Sequence, residues 1–286
     1  MTASLRMLRV LRSSAPRFLT KGRRRTFAAP PPLYIDGTKV PFEKIQIPTK
    51  WKQRKNTFDG YFVGNGEGNA PGIVLLQDWL GVDYHVINHA LRISRLGGGF
   101  KVLIPDVYGG NQDQLFKGYD WKGAMFKVHS SVEWLKTNGS KKVGVAGFCK
   151  GGALAVTCSS FFPPVDAVVA FYGIPGFLLA NSHCPVQAHF GELDDLVGFS
   201  DVTAAKKLEG KLKESRVPHE VHIYPGYRHA FMNGSSKRIK RWNGMGLPDE
   251  DEIAVQLARS RPDEDEIAVQ LAWSRFETWM TRFLSS

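Results

Sequence analysis

Continuous apolar runs mark the middle of the chain. Gly72-Ile73-Val74-Leu75-Leu76, Lys101-Val102-Leu103-Ile104 and Val143-Gly144-Val145-Ala146 each read as a strand covered on both faces, the pattern of a parallel sheet. Further strands are predicted over 166–172, 185–190 and 220–224. Another falls near 60–64, inside a stretch, 33–69, that otherwise reads as turns. Between the strands the period becomes helical: Val82, Val86, Ala90 and Leu91 recur at helical spacing until Gly97-Gly98-Gly99, a second helix spans 121–136, and Ala153-Leu154-Ala155-Val156 opens a third. Strands alternating with helices over this length predict an α/β fold, a single domain whose mostly parallel, doubly wound sheet carries helices on both faces.

The C-terminal pattern is a repeat. Residues 248–261 and 262–275 are the same fourteen residues except for Arg259 against Trp273. Each copy opens Pro-Asp-Glu-Asp-Glu, a helix start with proline first and acids facing the N-terminal dipole. In the second copy Val269, Ala272, Trp273, Phe276, Met280 and Phe283 form one apolar stripe. Arg259 breaks that stripe in the first copy, which therefore reads as an added surface segment.

Composition changes the picture mainly at the front. The chain has 286 residues, 43% of them hydrophobic, and a net charge of +11. Eight of its 38 basic residues precede Asp36, the first acid, so the rest carries 30 basic against 27 acidic residues, a net of +3. The body is close to neutral, which argues against nucleic acid as a partner. No apolar run reaches the roughly 18 residues of a membrane span. Leu5, Leu8 and Leu11 alternate with Arg6, Arg9 and Arg12, among Ser4, Ser13 and Ser14. That is the composition of a mitochondrial transit peptide. Arg25-Thr26-Phe27 fits a matrix-processing site with cleavage before Ala28. The alternative is a disordered basic tail that binds acidic partners. Pro30-Pro31-Pro32 separates this leader, residues 1–32, from the domain at 33–286. Three cysteines, Cys149, Cys158 and Cys184, are too few for a disulfide framework and point to a reducing compartment.

The candidate chemistry lies at strand ends. Gly147-Phe148-Cys149-Lys150-Gly151-Gly152 sits between a strand and a helix, with the G-x-nucleophile-x-G pattern of the α/β-hydrolase elbow and cysteine in the central place. A sulfur there faces a helix N-terminus, whose partial positive charge favours thiolate. The next strand end but one carries Gly191-Glu192-Leu193-Asp194-Asp195, and the last carries Tyr227-Arg228-His229-Ala230-Phe231. Nucleophile, acid, histidine is the chain order of α/β-hydrolases. An imidazole that takes the thiol proton raises the reactive fraction, and a carboxylate on its far nitrogen fixes the tautomer. The alternative reading is a thiol-redox or non-catalytic protein with Cys149 as an oxidation sensor, which needs neither histidine nor acid.

Other groups are read structurally. His85 and His89 lie four apart on a helix without a third ligand and read as surface histidines, and His219 and His222 face opposite sides of a strand. Neither pair predicts a metal. Cys158 and Cys184 read as packing residues, and Lys150 as a solvated lysine. No cofactor is expected.

From about residue 34 onward the chain resembles the dienelactone hydrolase (carboxymethylenebutenolidase) family of cysteine-containing α/β-hydrolases. The resemblance rests on Gln77-Asp78-Trp79-Leu80-Gly81, Pro105-Asp106-Val107-Tyr108-Gly109-Gly110, the Cys149 elbow, Gly191 with Asp194, and His229-Ala230-Phe231. It implies Cys149 as nucleophile, His229 as base and Asp194 as its orienter. The backbone N–H groups of Trp79 and Lys150 would form the oxyanion hole. It also implies a carboxylate that interacts with the resting thiol, commonly Glu in the family and here the shorter Asp78. The founding bacterial enzymes hold the substrate carboxylate with arginines. Residues 111–122 offer Lys117 and Lys122 but no arginine, so the expected substrates are small lactones or esters in general. A monomer or small homo-oligomer is expected.

Overall fold

The computed structural model describes residues 33–35, 38–40, 42–49, 56–64, 68–79, 81–109, 119–161, 165–177, 181–233 and 267–285. Ten strands are present among them: β1 (Leu33–Ile35), β2 (Thr38–Val40), β3 (Phe42–Thr49), β4 (Asn56–Val63), β5 (Gly72–Leu76), β6 (Lys101–Pro105), β7 (Val143–Phe148), β8 (Ala167–Phe171), β9 (Val186–Gly191) and β10 (His219–Tyr224). β1 and β2 form a small antiparallel pair. The other eight form one sheet in the order β10-β9-β8-β7-β5-β6-β4-β3. β5 to β10 run parallel, while β4 and β3 add an antiparallel edge.

The region 33–69 is therefore richer in strands than its turn-like sequence suggests. Only Ile45 and Ile47 carry the apolar alternation of β3, and polar cross-strand contacts supply the rest. Asp59 on β4 holds Lys44 at 2.8 Å and also accepts a hydrogen bond from Gln46. Such pairing stabilises an exposed antiparallel edge without an apolar run.

Strand alternation divides the core into two layers. Ile73 and Leu75 of β5 pack with helices α1 (Tyr84–Ile93) and α5 (Ile267–Leu284). Val74 and Leu76 pack on the opposite face with α2 (Trp121–Thr137), α3 (Lys150–Phe161) and α4 (Val202–Ser215). Both faces are covered, which explains why β5 to β9 are buried along their whole length. α1 stops at Ile93 with Ser94 as its C-cap, one turn before the glycines expected to end it. α4 did not stand out in the sequence because Ala204, Ala205, Leu208 and Leu212 are its only buried residues; Asp201 caps it, accepting from the Ala204 N–H at 3.1 Å. Among the described residues no helix is long and apolar enough to cross a membrane.

The second repeat copy supplies α5. Its buried face comprises Ala268, Val269, Ala272, Trp273, Phe276, Trp279, Met280 and Leu284; Phe283, expected on the stripe, is only partly buried. The helix comes close to β7, where a Cβ at Gly144 would meet the Met280 sulfur at 2.9 Å. The first copy lies outside the described residues. Trp273 is 3% exposed, with Phe276 at 5.6 Å, His89 at 5.4 Å and the Arg92 guanidinium over its ring at 5.1 Å. Trp273→Ala is expected to cost roughly 3–5 kcal/mol of stability, the usual range for a large aromatic removed from a core, measured as a lower denaturation midpoint with an unchanged m-value.

Candidate active site

The chain proceeds from β5 outward to β6, then returns to place β7 on the other side of β5. Open α/β sheets form their ligand crevice at this reversal, beyond the carboxyl ends of the strands. β7 ends in the elbow. Cys149 has φ +52, a left-handed conformation that costs a residue with a Cβ of the order of 1 kcal/mol or more. Neighbouring backbone holds it there: its N–H donates to the Phe171 carbonyl at 2.9 Å, and its carbonyl accepts from the Ala153 N–H at 3.1 Å. Glycine is required around it because a Cβ at Gly147 would collide with the Gly151 carbonyl.

Register brings the predicted loops level with this cysteine. Leu76 pairs with Gly147, so the segment that carries Asp78 and Trp79 leaves the sheet level with the elbow. The approach is close, since a Cβ at Gly151 would meet the Gln77 carbonyl at 2.6 Å. Asp78 is buried, and Trp79 packs partly buried on the cluster that includes Cys149. Lys150 begins α3, so its N–H belongs to the first turn, whose donors have no acceptor within the helix.

The acid and histidine loops clasp each other beyond β9 and β10. Glu192 N–H donates to the Tyr224 carbonyl at 3.0 Å and Leu193 N–H to the Tyr227 carbonyl at 2.8 Å. Glu192 in turn accepts from the Gly226 N–H at 3.0 Å. Asp194, its side chain fully buried, accepts the Leu196 N–H on Oδ1 at 3.1 Å and faces His229 Nδ1 with Oδ2 at 2.7 Å. The other ring nitrogen, Nε2, lies 3.2 Å from Cys149 Sγ. Asp195, the neighbouring candidate, is exposed. The structure thus brings together Cys149, His229 and Asp194, which lie far apart in sequence.

Burial works against charge on His229, yet the charge at Cys149 and the hydrogen bond with Asp194 prevail and push its pKa up to about 10. At neutral pH the imidazole therefore holds its proton between sulfur and carboxylate. A sulfur paired with imidazolium, beside a helix N-terminus, can attack an electrophilic carbon and pass a proton to a departing oxygen.

Several surrounding residues differ from their sequence reading. Lys150 is half-buried, with its ammonium 4.2 Å from the centre of the Tyr119 ring, and burial lowers its pKa against the opposing effect of the Cys149 charge. His89 is buried and stacks on Phe148 at 4.2 Å. Its pKa falls to about 3, chiefly through burial. It is therefore neutral, and its Nε2 donates to Asn233 Oδ1 at 3.3 Å. His85 is partly buried. Cys158 and Cys184 are buried packing residues as expected, and burial pushes each thiol up to about 12. Among the described residues no group of three or more His, Cys, Asp or Glu side chains is placed to hold a metal ion.

Two residues near the imidazole carried no signal in the sequence. Tyr172, level with Cys149 beyond β8, is fully buried and packs T-shaped against His229 with ring centroids 5.1 Å apart; its hydroxyl donates to Asn233 Oδ1 at 3.3 Å. Ser200 places Oγ 3.1 Å from His229 Nδ1. It stands next to Asp201, the N-cap of α4.

A doubly wound sheet with this elbow, acid and histidine beyond the ends of β7, β9 and β10 defines an α/β-hydrolase. Within that class the chain belongs to the dienelactone hydrolase family, whose model matches residues 58–284, and it is a hydrolase of carboxylic esters or lactones. Protein usf of Aquifex pyrophilus is 30% identical over 217 residues, covering 69% of this chain and 87% of its own. A carboxymethylenebutenolidase homologue of Xenopus tropicalis is 33% identical over 167 residues, 49% of this chain and 62% of that protein. Two solved structures share the fold at low identity. A dienelactone hydrolase-like promiscuous phosphotriesterase from metagenomic libraries has TM-score 0.63 and 18% identity, covering 85% of this chain and 98% of that one. An esterase from Pyrococcus furiosus has TM-score 0.57 and 14% identity, covering 89% and 99%.

Proposed function

We propose that the chain hydrolyses small lactones or esters through a Cys149–His229–Asp194 triad and a thioester intermediate. The observation that carries this reading is the continuous line from Cys149 Sγ to His229 Nε2, 3.2 Å, and from His229 Nδ1 to Asp194 Oδ2, 2.7 Å. The thiolate attacks the carbonyl carbon, and the C=O π pair moves onto oxygen. The N–H groups of Trp79 and Lys150 receive that charge, each such donor being worth roughly 3–4 kcal/mol of barrier. Collapse breaks the C–O bond, and the leaving oxygen takes the proton from His229. In a lactone the new hydroxyl stays tethered to the acyl group. His229 then draws a proton from water, hydroxide attacks the thioester, and the thiolate leaves. Asp78, buried where its loop leaves β5, modulates the resting thiol. A redox sensor would need neither the histidine nor the buried acid that complete this line.

Incubating the full chain with a panel of lactones, enol esters and thioesters should give turnover and a transient acyl group on Cys149, detected by peptide mass spectrometry. Failure to turn over or acylate with any of them would overturn the reading.

We also propose that residues 1–32 are a mitochondrial leader and linker preceding the hydrolase domain at 33–286. The Arg-rich, acid-free composition before Asp36 supports it. A reporter fused to residues 1–32 should enter mitochondria; cytosolic retention of the uncleaved fusion would favour a basic tail.

A further inference from the structure

We infer that Ser200 is a positioning residue for His229: its buried hydroxyl accepts part of the Nδ1–H that also faces Asp194, and so holds the imidazole with Nε2 on the Cys149 sulfur. The inference rests on the triad reading and adds a fourth residue to it. Ser200 is 0% exposed, and its Oγ lies 3.1 Å from the nitrogen that Asp194 Oδ2 approaches to 2.7 Å. A carboxylate only accepts, so Nδ1 must carry the hydrogen, and the serine oxygen is then its second acceptor in a three-centre bond.

The serine is rigidly held. Its N–H donates to the Leu196 carbonyl at 3.1 Å, as does the Phe199 N–H at 3.0 Å. Asp201, the next residue, ties the turn to α4 by accepting from Gly198 N–H at 2.8 Å and Ala204 N–H at 3.1 Å. The Phe199 carbonyl also accepts from Ile174 N–H at 2.9 Å, joining this turn to the segment after β8. One acceptor on Nδ1 fixes a point, about which the ring can still turn. Two acceptors, with the Tyr172 ring packed T-shaped against the imidazole, fix its plane and therefore the direction of Nε2. The charged groups that act on His229 are Cys149 from the elbow and Asp194 from the acid loop; the Tyr172 phenol is kept neutral by burial. The uncharged serine oxygen adds an acceptor for imidazolium without a competing charge.

The test uses the full chain with Ser200→Ala, Ser200→Cys and Ser200→Thr. Ser200→Ala is expected to lower kcat on an activated ester about tenfold with KM within about twofold, the effect of losing a weak hydrogen bond to a charged group. The alkaline step in the pH dependence of Cys149 alkylation by iodoacetamide, where His229 loses its proton, should move toward neutrality by about half a pH unit. Ser200→Cys keeps the volume but is a poor acceptor. It should behave as alanine does, with alkylation at residue 149 followed by peptide mass spectrometry, and it decides the matter if the alanine variant does not fold. Ser200→Thr retains the oxygen and should restore both readouts. The inference is overturned if folded Ser200→Ala or Ser200→Cys keeps the parent kcat and alkylation profile, or if folded Ser200→Thr loses as much as alanine. Alkylation needs no ester, so a parent protein without esterase activity would sink the functional reading while leaving this step readable.

Discussion

Cys149→Ala is expected to abolish ester turnover and acyl-enzyme formation together, a loss on the order of 10⁶-fold, as when the nucleophile of another hydrolase is removed. The other two thiols offer no substitute. Cys158, on α3, and Cys184 belong to the core layer between the sheet and α2, α3 and α4, and burial holds both near 12, so neither supplies thiolate at neutral pH. Cys158→Ala and Cys184→Ala should therefore retain most activity, at some cost in stability from lost packing. Circular dichroism and a melting curve on Cys149→Ala should match the parent, because alanine fits the same turn. Near-parental turnover by that variant would refute a cysteine mechanism. Cys149→Ser decides less, since a hydroxyl demands a stronger base than a thiol and its rate would reflect that mismatch as well.

Asp194→Asn is expected to cost roughly 10²–10⁴-fold in kcat with little unfolding, the upper figure being the effect of the same change in a serine protease triad. The reason is visible in the hydrogen bonds. Asp194 accepts on both oxygens, from Leu196 N–H through Oδ1 and from His229 Nδ1 through Oδ2. An amide keeps only one acceptor. If its oxygen faces His229, its NH₂ opposes the Leu196 N–H and the loop is strained. If it turns over, the NH₂ faces Nδ1, which must then give up its hydrogen, and neutral His229 carries the proton on Nε2 where it can no longer accept from sulfur. The sulfur's own nucleophilicity and the Ser200 oxygen temper the loss, hence the lower bound. Asp195→Asn, at an exposed position, should leave kcat within about twofold. Stopped-assay kinetics on both variants check the assignment, and comparable losses at Asp195 would overturn it.

Much of this protein was determined locally in the chain. Residues 72–76, 101–105 and 143–148 are continuous apolar runs because helices cover both faces of those strands, and such runs depend on no distant partner to be recognised. The elbow was legible for the same reason: its glycines are required by contacts within the motif, such as Gly147 against the Gly151 carbonyl. Strand ends carrying Cys149, an acid-rich loop and His229 could likewise be read in order along the chain. Other features exist only through contacts made across it. β3 has little apolar signal of its own and forms through Asp59 of β4. Gly191-Glu192-Leu193-Asp194-Asp195 offers three carboxylates, and geometry brings only Asp194 into the buried position against His229. His85 and His89 looked like surface residues because helical spacing does not say which face a neighbour covers; packing buries His89 between Phe148 and Trp273. Lys150 was misread, and Ser200 passed over, for a related reason. A lysine after an elbow and a serine before a capping aspartate have ordinary local explanations, and only the approach of Tyr119 in one case and of the imidazole in the other gives each side chain its second contact.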